Sequence, residues 1–122
     1  MVKVKFISLD QLFEMITNNQ KFKLVEVLDK EDFKQGHIPG AINIPLDDLK
    51  SLSNKFLKKN DTIVTYCANY ACHASTIATE MLLKVGFKKT IDFKGSKKLW
   101  VDSGLELENR EIENIIYFLA FV

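Results

Sequence analysis

Asp61-Thr62-Ile63-Val64-Thr65-Tyr66-Cys67-Ala68-Asn69-Tyr70-Ala71-Cys72-His73-Ala74-Ser75 contains the turn of chain that decides the fold. Residues 61–66 form an apolar, β-branched run of the kind found in buried strands. Small residues follow, and then Ile77, Ala78, Met81, Leu82 and Val85 recur at helical spacing. The reading is strand, loop, helix, with Cys67 closing the strand. Helix amides without intrahelical partners and the positive end of the macrodipole stabilise an anion at such a junction. A thiolate is such an anion, and this setting lowers a cysteine pKa below its free value of about 8.5. Cys67 is therefore read as a reactive thiol, against the alternative of a buried structural cysteine.

Outward from that stretch the chain alternates strand and helix. A first strand is expected at residues 3–7, where Val4 and Phe6 alternate with Lys3 and Lys5. Ser8-Leu9-Asp10-Gln11 has the form of a capping box, with Leu9, Leu12, Phe13 and Ile16 behind it at helix spacing. A second strand is expected at 23–28, a short charged helix at 30–34, and a brief third strand at 41–44 after the turn formers of 36–40. A helix over 46–57 leads to the strand before Cys67. Gly86 stops the following helix, and 90–93 make the fifth strand. Strands alternating with helices predict an α/β fold: a central, mostly parallel five-stranded sheet with helices on both faces. In such sheets ligands bind beyond the carboxyl ends of the strands, which is where Cys67 falls.

Bulk properties narrow the function. A chain of 122 residues fits one domain with a core of its own. A formal net charge of +1 gives no electrostatic reason to expect nucleic acid or an anionic membrane. Two nearby cysteines do not make a secreted disulfide framework, and the start of the chain lacks a signal-peptide core. The longest apolar stretch, residues 115–122, is too short to span a bilayer. A cytoplasmic enzyme or binding module is expected. His37, His73, Cys67 and Cys72 lack zinc-ligand spacing, so no metal is expected, and a thiolate nucleophile requires no organic cofactor. Glu26 and Asp29 read as strand-end or cap carboxylates, Trp100 as core or cleft wall, and the pairs Lys58-Lys59, Lys88-Lys89 and Lys97-Lys98 as solvated faces.

Gly36-His37-Ile38-Pro39-Gly40-Ala41-Ile42-Asn43-Ile44-Pro45 resembles the signature stretch of rhodanese-like domains. Leu24-Val25-Glu26-Val27 is similar to the strand before that signature. Tyr66-Cys67 with Ser75, Ala78, Leu82, Gly86 and Phe87 resembles the active-site loop and its helix. Lys94-Gly95-Ser96, Trp100 and Gly104-Leu105 resemble the closing segment. The likeness spans about residues 5–107, giving a rhodanese-like domain over 1–108 and a C-terminal helical extension over 109–122. It implies sulfur transfer through a cysteine persulfide, with Cys67 as nucleophile and the amides of Ala68, Asn69, Tyr70, Ala71, Cys72 and His73 as the cradle that binds substrate. Ser75 would fix the start of the helix. Partners would be a small sulfur donor and a thiol acceptor, a protein acceptor included.

The chain also departs from that pattern. Its loop is about two residues longer than the usual one and contains neither arginine nor lysine. The Cys67, Cys72, Ser75 spacing, Cys-x4-Cys-x-x-Ser, resembles a subset of single-domain rhodanese-like proteins. The usual Asp-x-Arg pair is Glu26-Val27-Leu28 here. An uncharged loop favours polysulfide or persulfide over thiosulfate, a dianion that arginine would hold bidentately. Cys72 is either a resolving thiol for Cys67 or a small apolar residue, and His73 either a source of positive charge or a spacer. The competing reading is a non-catalytic binding or thiol redox-sensing module using Cys67 and Cys72. A phosphatase or arsenate reductase ranks lower, since His73 stands where a loop-closing arginine is needed. Finally, residues 112–122, bounded by Ile112 and Val122, are apolar nearly all round as a helix, which predicts a homodimer burying part of them.

Overall fold

The computed structural model describes residues 2–109 and 119–120. The proposed dimer segment, residues 112–122, lies outside the described residues except for Leu119 and Ala120. Helix α1 (Leu9–Thr17) begins at a capping box. The Ser8 hydroxyl accepts from the Gln11 amide at 3.1 Å, and the Gln11 side chain accepts from the Ser8 amide at 2.9 Å. Such a cap stabilises a helix by about 1 kcal/mol.

Strands β1 (Lys23–Glu26), β2 (Ile42–Asn43), β3 (Ile63–Tyr66) and β4 (Thr90–Asp92) form one sheet in the order β2-β1-β3-β4. Every pairing in it is parallel. The connections carry α2 (Lys30–Gln35), a 3-10 turn (Leu46–Asp48) running into α3 (Leu49–Phe56), and α4 (Ala74–Lys84). Alternate strand residues face opposite sides, so the sheet is buried twice. Val25, Ile63 and Cys67 join Leu49, Ala78, Leu82 and Phe87 beneath α3 and α4. Leu24, Val64 and Tyr66 join Leu12, Ile38, Phe93 and Trp100 on the other side.

The expected first strand does not form: among the described residues the sheet has four strands, not five. Residues 3–7 contribute one isolated bridge, Phe6 to Asp92, with two hydrogen bonds to β4. β4 is only three residues long, and the chain turns into the Ser8 cap immediately after Ile7, so no further pairing is available. A second difference is α5 (Ser96–Asp102), where the sequence suggested only a closing segment. It packs Trp100 into the core, with the indole N–H donating to Glu106 O at 2.9 Å. The 36–40 turn is tied to the end of the domain by paired backbone bonds between His37 and Glu108 at 2.9 and 2.8 Å. His37 itself is buried and stacks on Phe33 with centroids 3.9 Å apart.

Candidate functional site

The register of β1 and β3 places Glu26 beside Tyr66, and the chain leaves the sheet at Cys67. Tyr66 and Cys67 are consecutive in an extended chain, so they face opposite sides of the sheet. Tyr66 donates its hydroxyl to Glu26 Oε1 at 2.9 Å and accepts from the Ile38 amide at 3.1 Å. Lys97 Nζ lies 2.9 Å from the same carboxylate oxygen. Lys97 is thus no solvated residue: it enters a buried ion pair. Burial pushes Glu26 upward from the usual carboxylate range, against the opposing pull of Lys97 and Tyr66. Burial likewise raises the Tyr66 phenol, which stays a hydrogen-bond donor.

Cys67 is fully buried. Its amide donates to Ser96 Oγ at 3.0 Å, and its thiol faces the Cys72 carbonyl at 3.4 Å. The Ser96 hydroxyl lies 3.8 Å from Cys67 Sγ and 3.1 Å from the Phe93 carbonyl, with one proton to give. Ser96 holds this place at φ +62, a left-handed conformation that costs a non-glycine residue about 1–2 kcal/mol. The Ser75 side chain does not cap α4, whose N-cap is His73 without any side-chain bond. Instead its buried hydroxyl lacks a partner of full hydrogen-bond geometry and faces the Cys67 thiol together with the Ser75 amide. Thr65 anchors this turn of α4 to β3, its hydroxyl 2.7 Å from Thr79 Oγ1 and 3.2 Å from the Ser75 carbonyl.

The thiols differ from the sequence expectation. Burial pushes Cys67 up, and the Cys72 side chain adds to that; the Ser75 hydroxyl and amide pull down less. Cys72 is half-buried. Burial raises its thiol too, but the Cys67 side chain, the amides of Ala74 and Ala68 and the charge of Lys94 together bring it below the usual range. Amides at the start of α4 thus act on both sulfurs, that of Ser75 on Cys67 and that of Ala74 on Cys72.

Of the loop residues, Ala68, Asn69 and Cys72 are half-buried and Tyr70, Ala71 and His73 exposed. Asn69 Oδ1 accepts the amides of Ala71 at 3.0 Å and Cys72 at 3.1 Å, which folds the loop on itself. Ser96 and Lys94 went unread in the sequence as parts of the site. A serine in a turn segment and one lysine among many carry no local signal; only the loop's lack of cations hinted that charge might arrive from elsewhere. A cleft of about 470 Å³ between α2 and α5 touches the loop at Ala68 and reaches neither thiol.

Residues 8–103 match the rhodanese-like domain family. The chain is 29% identical over 94 residues to the putative sulfur carrier protein YrkF of Bacillus subtilis, covering 77% of this chain and 49% of that one. It is 34% identical over 76 residues to the thiosulfate sulfurtransferase PspE of Escherichia coli, covering 62% of this chain and 71% of the other. The crystal structure of the BH2092 protein of Bacillus halodurans superposes with a TM-score of 0.79 at 30% identity, over 85% of this chain and 76% of that one. The chain spans about half the length of YrkF and 62% of the uncharacterized protein YqhL of the same bacterium. With a matching region that runs from the α1 cap through α5, and with Cys67 at the end of β3, the chain belongs to the family of rhodanese-like domains.

Proposed function

We propose that this chain is a sulfurtransferase or sulfane-sulfur carrier that holds a persulfide on Cys67. The carrying observation is the buried Ser75 hydroxyl at the start of α4, which makes no full hydrogen bond in the resting protein and favours negative charge on Cys67. A buried donor without an acceptor costs free energy in the resting protein. An anionic sulfur on Cys67 supplies that acceptor, and the Ser75 amide and Ser96 hydroxyl add two more donors. The names of YrkF and PspE support the same chemistry.

The cycle balances without a cofactor. A thiolate attacks the outer sulfur of a donor persulfide, the donor S–S bond breaks, and the donor leaves as a thiolate. An acceptor thiolate or cyanide then attacks the outer sulfur on Cys67, which returns as the leaving thiolate. Ala68, Asn69, Tyr70, Ala71, Cys72 and His73 line the approach. Polysulfide or persulfide is the preferred donor: no loop residue offers the bidentate fork that a thiosulfate dianion needs, and Lys94 offers a single ammonium. Both cysteines are free, as this chemistry requires, which suits a cytoplasmic setting. No helix among the described residues is long and apolar enough to cross a membrane.

Intact-mass spectrometry after incubation with thiosulfate and, separately, polysulfide tests the proposal. One added sulfur, lost again on addition of cyanide as thiocyanate appears, is the expected result. Loss of two hydrogens with no added sulfur would favour the thiol redox module instead, a reading supported by two free cysteines held together, with the Cys67 thiol 3.4 Å from the Cys72 carbonyl.

A further inference from the structure

A sulfur donor arriving from solvent meets one of two thiols first, and they are not equally placed. Cys67 is fully buried, and its S–H points back at the Cys72 carbonyl. The neighbouring cleft stops at Ala68 and reaches neither sulfur, so the difference in burial is what separates the two. Cys72 is half-buried on the outer turn of the same loop. The amides of Ala68 and Ala74, the Cys67 side chain and the charge of Lys94 favour the thiolate there.

Positive charge reaches this sulfur from outside the loop. Lys94 follows β4, and its Nζ lies 3.5 Å from Thr76 Oγ1 and 5.2 Å from the centroid of the exposed Tyr70 ring. Thr76 in turn donates to the buried Asp92 carboxylate at 2.7 Å. The ammonium is therefore braced between α4 and the loop that carries Cys72. Two amides, a neighbouring thiol and a cation around a half-exposed sulfur make a thiolate site.

We infer that Cys72, assisted by Lys94, is the thiol that takes sulfur from the donor, and that it passes the sulfur inward to Cys67. The inference rests on the sulfur-carrier reading and adds the order of the two thiols. In the first step the Cys72 thiolate attacks the outer sulfur of a persulfide RSSH; the donor S–S bond breaks, RS⁻ leaves, and Cys72 carries S–SH. In the second, Cys67 gives up its proton and attacks that outer sulfur. The Cys72–sulfur bond breaks, Cys67 carries S–SH, and Cys72 returns as a thiol with the proton that Cys67 released. No oxidant or reductant is consumed. Inside, the persulfide gains the Ser75 and Ser96 hydroxyls and is shielded from solvent.

Rapid-quench mass spectrometry with inorganic polysulfide, on the full chain and on Cys67→Ser and Cys72→Ser, tests the order. Sulfur uptake by the wild-type chain establishes the carrier reading by itself; a wild-type chain that takes none removes both. Given uptake, Cys67→Ser is expected to load one sulfur on Cys72 at the wild-type rate. Cys72→Ser is expected to load Cys67 about tenfold more slowly or worse. A Cys72→Ser chain that loads at the wild-type rate, or a Cys67→Ser chain that takes no sulfur, overturns the order. A measurement on the unmutated protein guards against folding defects: limiting iodoacetamide at neutral pH should label Cys72 in most molecules, as located by fragmentation. Label found mainly on Cys67 refutes the inference.

Discussion

Tyr66 and Cys67 are neighbours in the chain and open onto two very different polar clusters. On the Tyr66 side a carboxylate, a phenol and a lysine are locked together, with Glu26 Oε1 taking both Tyr66 and Lys97 at 2.9 Å. On the Cys67 side thiols and hydroxyls stand nearest the sulfur, one of those hydroxyls lacking a hydrogen-bond partner, with the Asp92 carboxylate and the Lys94 ammonium behind them on Thr76. The first cluster holds α5 against β1 with fixed charge. The second keeps protons that can be re-aimed as sulfur charge appears and disappears. Both meet at the start of α5, where the amides of Lys97 and Lys98 donate to the Cys67 and Ala68 carbonyls at 3.2 and 2.9 Å. The contrast separates what frames the site from what reacts in it.

The largest effect should come from Lys97→Met, which leaves the buried Glu26 without its counter-charge. Removing one partner of a buried pair typically costs about 3–5 kcal/mol. Urea unfolding at neutral pH should show a loss of that order. A loss below about 1 kcal/mol would mean that Glu26 simply takes up a proton, and that the framing cluster is as neutral as the reacting one.

How much of this was legible follows the same division. The β-branched run before Cys67 and the Ser8–Gln11 cap are local signals, and the structure places β3 and α1 on them. The strand expected at residues 3–7 is read from alternation alone, which is blind to how short the partner strand is. Helix α5 was hidden because it opens on Gly95-Ser96, residues that suggest a turn, and because its seven residues are anchored by tertiary bonds rather than a side-chain cap. Lys97 looked like surface because a lysine pair usually is; its burial depends on the Glu26–Tyr66 register, which no local pattern encodes. The ranking of the two thiols was equally invisible. It turns on Cys67 being buried at the strand end and Cys72 half-buried, and that is set by the fold of the loop around Asn69.

The reacting cluster can be probed through its two serines. Ser75→Ala removes a hydroxyl that satisfies nothing in the resting protein, so unfolding free energy should stay within about 0.5 kcal/mol. Sulfur transfer should slow about tenfold, the worth of one hydrogen bond to a charged sulfur. Equal loss of stability and activity would place Ser75 in the frame instead. Ser96→Ala strands the buried Cys67 amide that Ser96 now accepts, at a cost of about 1–3 kcal/mol. Ser96→Gly loses the same bond but relaxes the backbone at φ +62, so it should be more stable than the alanine variant by about 1 kcal/mol. Thermal or urea unfolding of the pair reads that difference directly.

The smallest effect concerns how charged the framing cluster really is. Two influences compete at Glu26: burial favours the neutral acid, while Lys97 and the Tyr66 hydroxyl favour the carboxylate. Burial is the larger, and the folded-state pKa is raised. Between the unfolded value of about 4.3 and the raised folded value, the folded chain then binds more protons at this residue than the unfolded one. By linkage, Glu26 contributes stability that is fully present below the unfolded pKa and is lost as pH rises through the folded pKa. Glu26→Gln keeps an oxygen for Tyr66 and Lys97 but cannot titrate. The wild-type chain should therefore lose stability relative to the glutamine variant as pH rises from 4 towards neutrality. Urea midpoints of both proteins across that range isolate the residue, since all other titrating groups are shared. A wild-type chain that instead gains on the variant with rising pH would mean that Lys97 outweighs burial, and that the cluster is an ordinary ion pair with a lowered carboxylate.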